Sequence, residues 1–242
     1  MTNDHGIARV ALNRPAARNA IPADGWAALA GCITDAAMRD PCVLVVESAV
    51  AGSFCAGADL DDLARLADDP AGGTELRLGM AAACDAIATL PCPSIALVDG
   101  GCFGAGVALA IACDLRVAGP AARFAIPPAR LGIVYPAADV ARLVALVGRA
   151  QVIRLLATGA TIDGSEAARI GLVEIHATDA AAATAELAEA ITANAPHSVT
   201  ALRAMASGAL TGAAADRSFD EAFAAPAFAT RIAAMRGSRR TR

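Results

Sequence analysis

Short apolar runs, each followed by a proline- or glycine-containing segment, dominate the first 130 residues. The runs IARVALNRP (7–15), CVLVVES (42–48) and SIALVDG (94–100) predict strands. The last two each contain a continuous apolar stretch, as is typical of strands buried on both faces. LRVAGPAARFAI (115–126) predicts a strand, a turn and a second strand. Residues 22–39 and 74–90 predict helices that lie between these strands.

From Pro136 onward the pattern is nearly all helical, with breaks near Gly148, Gly159, Gly171 and Pro196. Strand-rich units followed by helices predict an α/β core with a helical C-terminal extension. We expect the core to span residues 1–190 and the extension residues 191–242, within one functional unit. The extension either covers the site or forms a subunit interface.

Two loops rich in glycine and alanine follow buried strands: FCAGADL (54–60), and GGCFGAG (100–106), which opens an apolar helix running to Cys113. Small residues let the backbone approach a ligand closely. Backbone N–H groups in such loops can stabilise negative charge on a carbonyl oxygen, by a few kcal/mol per donor. The glycine spacing does not match the dinucleotide-binding fingerprint G-x-G-x-x-G.

The composition excludes several functions. Hydrophobic residues make up 56% and charged residues 18% of the 242, which predicts a globular protein. All 20 basic residues are arginine, so neither a Schiff-base lysine nor a Walker-type phosphate lysine is present. The net charge of -4 argues against a nucleic-acid partner.

Seven cysteines are scattered without a C-x-x-C pair, so we expect buried reduced thiols, no metal site and a cytoplasmic protein. No stretch is long and apolar enough to predict a membrane span, and the N-terminus has no signal-peptide pattern.

The motifs ALNRPAARNAI, FCAGADL and GAGVALAIACDLRVA resemble, in order and spacing, those of the crotonase (enoyl-CoA hydratase/isomerase) superfamily. ARFAIPPARLGIVYP continues the resemblance, which covers roughly residues 7–175 well. It implies a spiral of ββα units with a helical C-terminal extension, no covalently bound cofactor, and coenzyme A as part of an acyl-CoA substrate. It also implies a homotrimer or a dimer of trimers.

The resemblance also implies roles for particular residues. The N–H groups of Ala58 and Ala105 would form an oxyanion hole. The coenzyme A path would follow Ala17, Arg18, Ala20, Ala56, Asp59 and Leu60. Arg18 suits a phosphate by its charge and fork geometry, although it could equally be a surface arginine. Asp59 could instead cap the next helix, and Asp114 is expected to be structural.

Hydratases of this family use two glutamates to handle a water molecule, and here Ala108 and Pro128 stand at those positions. Neither residue can transfer a proton, so hydration should be crippled. Tyr135, the only tyrosine, and Asp139 are the remaining catalytic candidates. Tyr135 could instead be packed with its hydroxyl satisfied, and Asp139 could serve only the helix dipole.

Three functions stay open at this point. The chain could be an enzyme that isomerises, decarboxylates or slowly hydrates an acyl-CoA. It could be a carrier or sensor that binds acyl-CoA without turnover. It could also be a structural subunit of a larger assembly. The first two require the same loops, so the sequence alone does not separate them.

Overall fold

The structure is a computed structural model that describes residues 2–66, 68–69 and 71–240. Its strands are β1 (Thr2–Asp4), β2 (Ile7–Leu12), β3 (Val43–Ser48), β4 (Gly52–Cys55), β5 (Ser94–Val98), β6 (Gly100–Phe103), β7 (Leu115–Ala118), β8 (Arg123–Ala125), β9 (Ile162–Asp163) and β10 (Ile175–His176). Its helices are α1 (Gly25–Ala37), α2 (Leu60–Arg65), α3 (Gly72–Ala88), α4 (Ala105–Ala112), α5 (Ala137–Thr158), α6 (Gly164–Arg169), α7 (Ala180–Thr192), α8 (Pro196–Ala206), α9 (Gly212–Ala224) and α10 (Pro226–Arg240).

The larger sheet has six strands in the order β1-β2-β3-β5-β7-β10, parallel except for the antiparallel β1. Its central strands β3 and β5 are mainly apolar because both faces of the sheet are covered. In β3, Leu44 and Val46 face the main core with Trp26 of α1, whereas Val43 and Val45 face a second cluster that includes α7. The α/β class predicted from the sequence is therefore confirmed.

The smaller sheet has four strands in the order β4-β6-β8-β9, with β4, β6 and β8 parallel. Gly100 allows β6 to approach β4 closely, since a methyl group built on it would lie 2.2 Å from the carbonyl carbon of Gly52. The two strands predicted within residues 115–126 are present as β7 and β8, and they lie in different sheets.

Several elements differ from the sequence prediction. β4 and β6 occupy residues expected to be loop, because their glycine-rich sequences have low strand propensity. β9 and β10 interrupt the C-terminal region expected to be nearly all helical, and each has only two residues. The expected break at Gly148 is present, where a φ of 75° interrupts α5.

The C-terminal helices α8 to α10 are tied to the rest of the chain through Arg203. Its Nε donates to Asp114 Oδ2 at 2.9 Å, and its Nη2 donates to the carbonyl of Ala88 at 2.9 Å. Asp114 also accepts from Ser94, so its structural role is observed directly. None of the helices in the described ranges is long and apolar enough to cross a membrane.

Candidate functional site

The first of the two loops follows β4 and consists of residues 56–59; we call it the first amide loop. It is fastened to the segment before α1 by backbone hydrogen bonds. Ala56 N–H donates to Arg18 O at 3.1 Å, and Ile21 N–H donates to Gly57 O at 2.8 Å. Asp59 N–H in turn donates to Ile21 O at 3.0 Å. Sequence-distant residues of the NRPAARNAI motif therefore hold this loop in place.

Asn19, which the sequence analysis did not single out, is the centre of that attachment. It is 2% exposed. Its Oδ1 accepts from Arg14 N–H at 2.7 Å, and its Nδ2 donates to Ser48 Oγ at 2.8 Å and to Phe54 O at 3.0 Å. Its φ of 60° lies in the left-handed region, which asparagine tolerates better than most residues. The signal in the sequence that could have indicated this role is an asparagine directly after the turn R-P-A-A-R (14–18).

The second amide loop consists of residues 103–105, between β6 and α4. Gly104 has φ 51° and ψ -117°, a conformation that favours glycine. Its N–H donates to Ala125 O in β8 at 2.9 Å. Ala105 is the first residue of α4, a helix whose eight residues are all buried. The second amide loop is thus held between a strand and a buried helix.

The two amide loops meet at Gly57. A methyl group built on Gly57 would lie 2.9 Å from the carbonyl oxygen of Phe103 and 3.5 Å from the amide nitrogen of Ala105. The φ of Gly57 is 105°, so both space and conformation require glycine here.

The N–H groups of Ala58 and Ala105 are left without an acceptor at this meeting point. Within the described ranges, neither donates to any backbone or side-chain atom. Ala105 also lies at the N-terminus of α4, where the helix dipole favours negative charge. The arrangement can bind an oxygen that carries partial negative charge.

Ala108 and Pro128, which the family resemblance places at the glutamate positions of hydratases, are both buried. Ala108 is fully buried in α4, and Pro128 is buried in the short 3-10 turn Pro128–Leu131. That these two positions correspond to the glutamates of hydratases stays a prediction.

Tyr135 lies against the second amide loop. Its hydroxyl donates to the carbonyl oxygen of Gly104 at 3.0 Å. Burial, followed by the nearby Asp139 carboxylate, raises the pKa of Tyr135 well above its ordinary value. The phenol is therefore a protonated donor, and its proton is directed at the backbone of the loop.

Asp139 lies in the first turn of α5, as expected, and is 4% exposed. Its Oδ1 accepts from Arg142 Nη1 at 2.8 Å, while Arg142 Nη2 donates to the exposed Asp85 at 2.7 Å. Burial raises the pKa of Asp139, and Arg142 opposes that rise. A buried carboxylate with a raised pKa is a candidate for moving protons.

Among the residues predicted to contact coenzyme A, Asp59 is engaged within the protein. It caps α2 by accepting from Asp61 N–H at 2.9 Å, and Arg14 Nη1 donates to its other oxygen. Arg14 lowers the pKa of Asp59. The capping alternative for Asp59 is thus observed.

Arg18 is exposed, and its side chain makes no ion pair or hydrogen bond with the part of the chain that the structure describes. Its backbone carbonyl accepts from Ala56 N–H and from Ser53 Oγ, so the residue lies directly beside the first amide loop. Leu60 is 69% exposed at the start of α2. Ala17 and Ala20 lie in the same turn as Arg18 and are partly buried.

The cysteines of the two loops are packing residues. Cys55 and Cys102 are fully buried. Burial raises the pKa of Cys55 to about 12 and that of Cys102 well above its ordinary value. Both thiols therefore stay protonated and are poor nucleophiles. Among the described residues, no three His, Cys, Asp or Glu side chains come together as metal ligands would.

Two clefts lie elsewhere on the molecule. One, of about 270 Å³, is lined by residues that include Arg123, Asp163 and His176. The other, of about 290 Å³, lies among α8, α9 and α10 and is lined mainly by apolar side chains such as Phe223 and Ile232. Neither cleft includes a residue of the amide loops.

Comparison with known proteins shows the family to which the chain is similar. The sequence profile of the enoyl-CoA hydratase/isomerase family matches residues 2–225. YngF of Bacillus subtilis (strain 168), named for the same family, is 38% identical over 203 residues, which are 81% of this chain and 76% of YngF. Human methylglutaconyl-CoA hydratase, a mitochondrial protein, is 32% identical over 172 residues, 70% of this chain and 50% of that protein.

Solved structures match nearly the whole chain. A crystal structure of an enoyl-CoA hydratase/isomerase family protein from Hyphomonas neptunium has a TM-score of 0.90 at 34% identity, covering 96% of this chain and 92% of that one. An enoyl-CoA hydratase/carnithine racemase from Magnetospirillum magneticum has a TM-score of 0.91 at 27% identity, covering 98% and 91%. The mitochondrial relative is matched over only half its length, whereas these structures are matched over nine tenths of theirs.

The fold is that of a crotonase-type α/β protein, as the sequence predicted. The chain belongs to the enoyl-CoA hydratase/isomerase family. Proteins of this family act on coenzyme A thioesters without a metal cofactor, which gives the amide loops a chemical context.

Proposed function

We propose that the chain binds an acyl-CoA and polarises its thioester carbonyl with the N–H groups of Ala58 and Ala105. The observation that carries this proposal is that both N–H groups lack an acceptor where the two loops meet. Preorganised donors of this kind stabilise the oxyanion of an enolate more than the ground-state carbonyl, and each typically contributes a factor of about 10²–10³ in rate.

The coenzyme A moiety would lie along the turn that supports the first amide loop. Arg18 is exposed beside this loop and its guanidinium is uncommitted in the described structure, so it is available to a phosphate. Ala17, Ala20 and Ala56 would lie along the same path, where their small side chains let the ligand approach the backbone. Asp59 would contribute through its backbone, because Arg14 and the α2 cap occupy its carboxylate.

The reaction would be one that needs an enolate but not the paired glutamates of a hydratase. Isomerisation and decarboxylation meet this condition, and hydration would be slow. In isomerisation, a base takes a proton from the α-carbon of a 3-enoyl thioester, charge builds on the carbonyl oxygen, and the proton returns at the γ-carbon. Asp139 is the proposed base, since it is buried and its pKa is raised.

A second candidate function is an acyl-CoA carrier or sensor without turnover. It is favoured by the simultaneous loss of a proton-transferring side chain at Ala108 and Pro128. The carrier would retain the amide loops for binding and need neither Asp139 nor Tyr135.

We also propose that the protein assembles as a trimer or a dimer of trimers in the cytoplasm. Exposed aromatic and apolar side chains on α9 and α10 support an assembly, among them Phe219, Phe223 and Met235 at 63%, 55% and 65% exposure. Light scattering should give three or six times the mass of one chain. A monomer at micromolar concentration would contradict the assembly.

The test is incubation with saturated, 2-enoyl, 3-enoyl and malonyl-type CoA thioesters in deuterated buffer, read by mass spectrometry. An enzyme should change the mass of one class or introduce deuterium into it. Binding without any change would establish the carrier instead. The absence of binding to every thioester would contradict both functions.

Two variants assign the base. Asp139→Asn should abolish the mass change or deuterium uptake of the thioester, because the amide side chain cannot accept a proton from the substrate. Asp85→Asn is the matched control, since it removes the exposed carboxylate that shares Arg142 and should leave turnover in place. If Asp139→Asn turns over the thioester as fast as Asp85→Asn and the natural protein do, Asp139 is not the base.

A further inference from the structure

The carbonyl that Tyr135 contacts and the N–H of Ala105 are two ends of one peptide group. The peptide bond between Gly104 and Ala105 is planar, so the direction of its carbonyl fixes the direction of its N–H. Tyr135 Oη donates to that carbonyl at 3.0 Å. A side chain 31 residues away along the chain therefore acts on the orientation of a proposed oxyanion donor.

Glycine at position 104 permits this orientation of the peptide group. Gly104 has φ 51° and ψ -117°, and a methyl group built on it would meet nothing within 4 Å, so conformation rather than space requires glycine. Glycine adopts many backbone conformations, so its hydrogen bonds to neighbouring groups select this one. Gly104 N–H donates to Ala125 O at 2.9 Å. Gly104 O accepts from Val107 N–H at 2.9 Å, from Ala108 N–H at 3.4 Å and from the Tyr135 hydroxyl at 3.0 Å.

The Tyr135 bond also polarises the peptide. A donor on the carbonyl draws electron density from the amide nitrogen, so the N–H at the other end becomes a stronger donor. Burial raises the pKa of Tyr135 well above its ordinary value, which keeps the phenol protonated as this role requires.

We propose that Tyr135 is a positioning residue for thioester activation, whose hydroxyl aligns and polarises the Gly104–Ala105 peptide so that the Ala105 N–H binds the carbonyl oxygen of the acyl-CoA more strongly. This inference rests on the proposed function of the amide loops. It differs from direct proton donation by Tyr135, because the proton stays on the phenol oxygen, hydrogen-bonded to the Gly104 carbonyl, throughout.

The experiment uses 2,4-hexadienoyl-CoA, whose ultraviolet absorption shifts to longer wavelength when its carbonyl is polarised. Tyr135 is the only tyrosine in the chain, so growth on 3-fluorotyrosine changes this one hydroxyl into a stronger donor without altering the sequence. The series is Tyr135→Phe, the natural protein and the 3-fluorotyrosine protein. Ser94→Ala is the matched control, since it removes another buried hydroxyl, one that bonds to Asp114.

The red shift of the bound ligand should increase along the series from phenylalanine to tyrosine to 3-fluorotyrosine, and Ser94→Ala should keep the natural shift. The dissociation constant should change by less than about threefold, because most binding contacts remain. If the protein catalyses deuterium exchange into the thioester, the rate should fall by about tenfold in Tyr135→Phe. That loss is smaller than the factor of about 10²–10³ in rate that is typical of removing an oxyanion-hole donor.

If the bound ligand shows the same red shift in all three proteins of the series, the role of Tyr135 is overturned and the proposed function still stands. Bound ligand without any red shift in the natural protein would instead contradict the proposed function itself. If Tyr135→Phe does not fold, the comparison of tyrosine with 3-fluorotyrosine decides alone, and equal shifts in those two proteins overturn the inference.

Discussion

Replacing Asn19 with alanine should destabilise the fold and loosen the first amide loop. The amide side chain joins three elements: the turn at Arg14, the end of β3 at Ser48 and β4 at Phe54. Alanine makes none of these bonds, and it must also adopt the left-handed φ of 60°. Each loss can be given a magnitude.

The bond to Phe54 O is buried, so its loss should cost about 1.5 kcal/mol. The bonds to Arg14 N–H and Ser48 Oγ are partly buried, and water can replace them at about 0.5 kcal/mol each. The left-handed conformation costs an alanine about 1 kcal/mol more. We therefore expect a loss of about 3.5 kcal/mol, a large share of the 5–15 kcal/mol typical of a domain.

Urea denaturation followed by circular dichroism measures this loss directly. Asn194→Ala is the control, because its single bond, to Ala190 O, lies on an exposed helix end and should contribute no more than about 0.5 kcal/mol. The affinity for acyl-CoA should also fall in Asn19→Ala and should be unchanged in Asn194→Ala. A loss below about 1 kcal/mol, or the same loss in both variants, would refute the assigned role of Asn19.

Gly57, Arg203 and Asp139 give three further predictions. Gly57→Ala should lose about 2 kcal/mol of stability and weaken acyl-CoA binding, because the added methyl group meets Phe103 O; unchanged affinity by calorimetry would contradict the loop contact. Arg203→Ala should lose about 2 kcal/mol and make α8 to α10 sensitive to limited proteolysis, since the tie to Asp114 is cut; equal resistance to protease would count against it. Exchange that depends on Asp139 should rise with pH as the carboxylate forms, with a midpoint above the ordinary aspartate pKa of 3.8; a midpoint at or below 3.8 would contradict its burial.

Local patterns in the sequence predict those parts of the fold that have a strong hydrophobic period. The helices at 22–39 and 74–90 appear as Gly25–Ala37 and Gly72–Ala88, and the apolar run at 42–48 appears as β3. β4 and β6 could not be predicted in this way. Their strand conformation depends on pairing with each other, where Gly100 permits a close backbone approach that no local propensity encodes.

The candidate site shows the same division. The glycine- and alanine-rich loops could be found from the sequence because small residues are what close backbone approach requires. The partners of their polar groups could not, since Asn19 to Phe54 and Tyr135 to Gly104 join residues 35 and 31 positions apart. Only the folded chain shows that Tyr135 is directed at the backbone of the second amide loop.

The central claim is that the Ala58 and Ala105 amides bind a thioester carbonyl, and the infrared frequency of that carbonyl tests it most directly. A saturated acyl-CoA labelled with ¹³C at the thioester carbon would be added to the protein, and the difference spectrum against unlabelled ligand would isolate its carbonyl band. We predict a band at lower frequency than in free solution, because two hydrogen bonds weaken the carbonyl bond. A bound acyl-CoA whose carbonyl keeps its solution frequency would contradict the account.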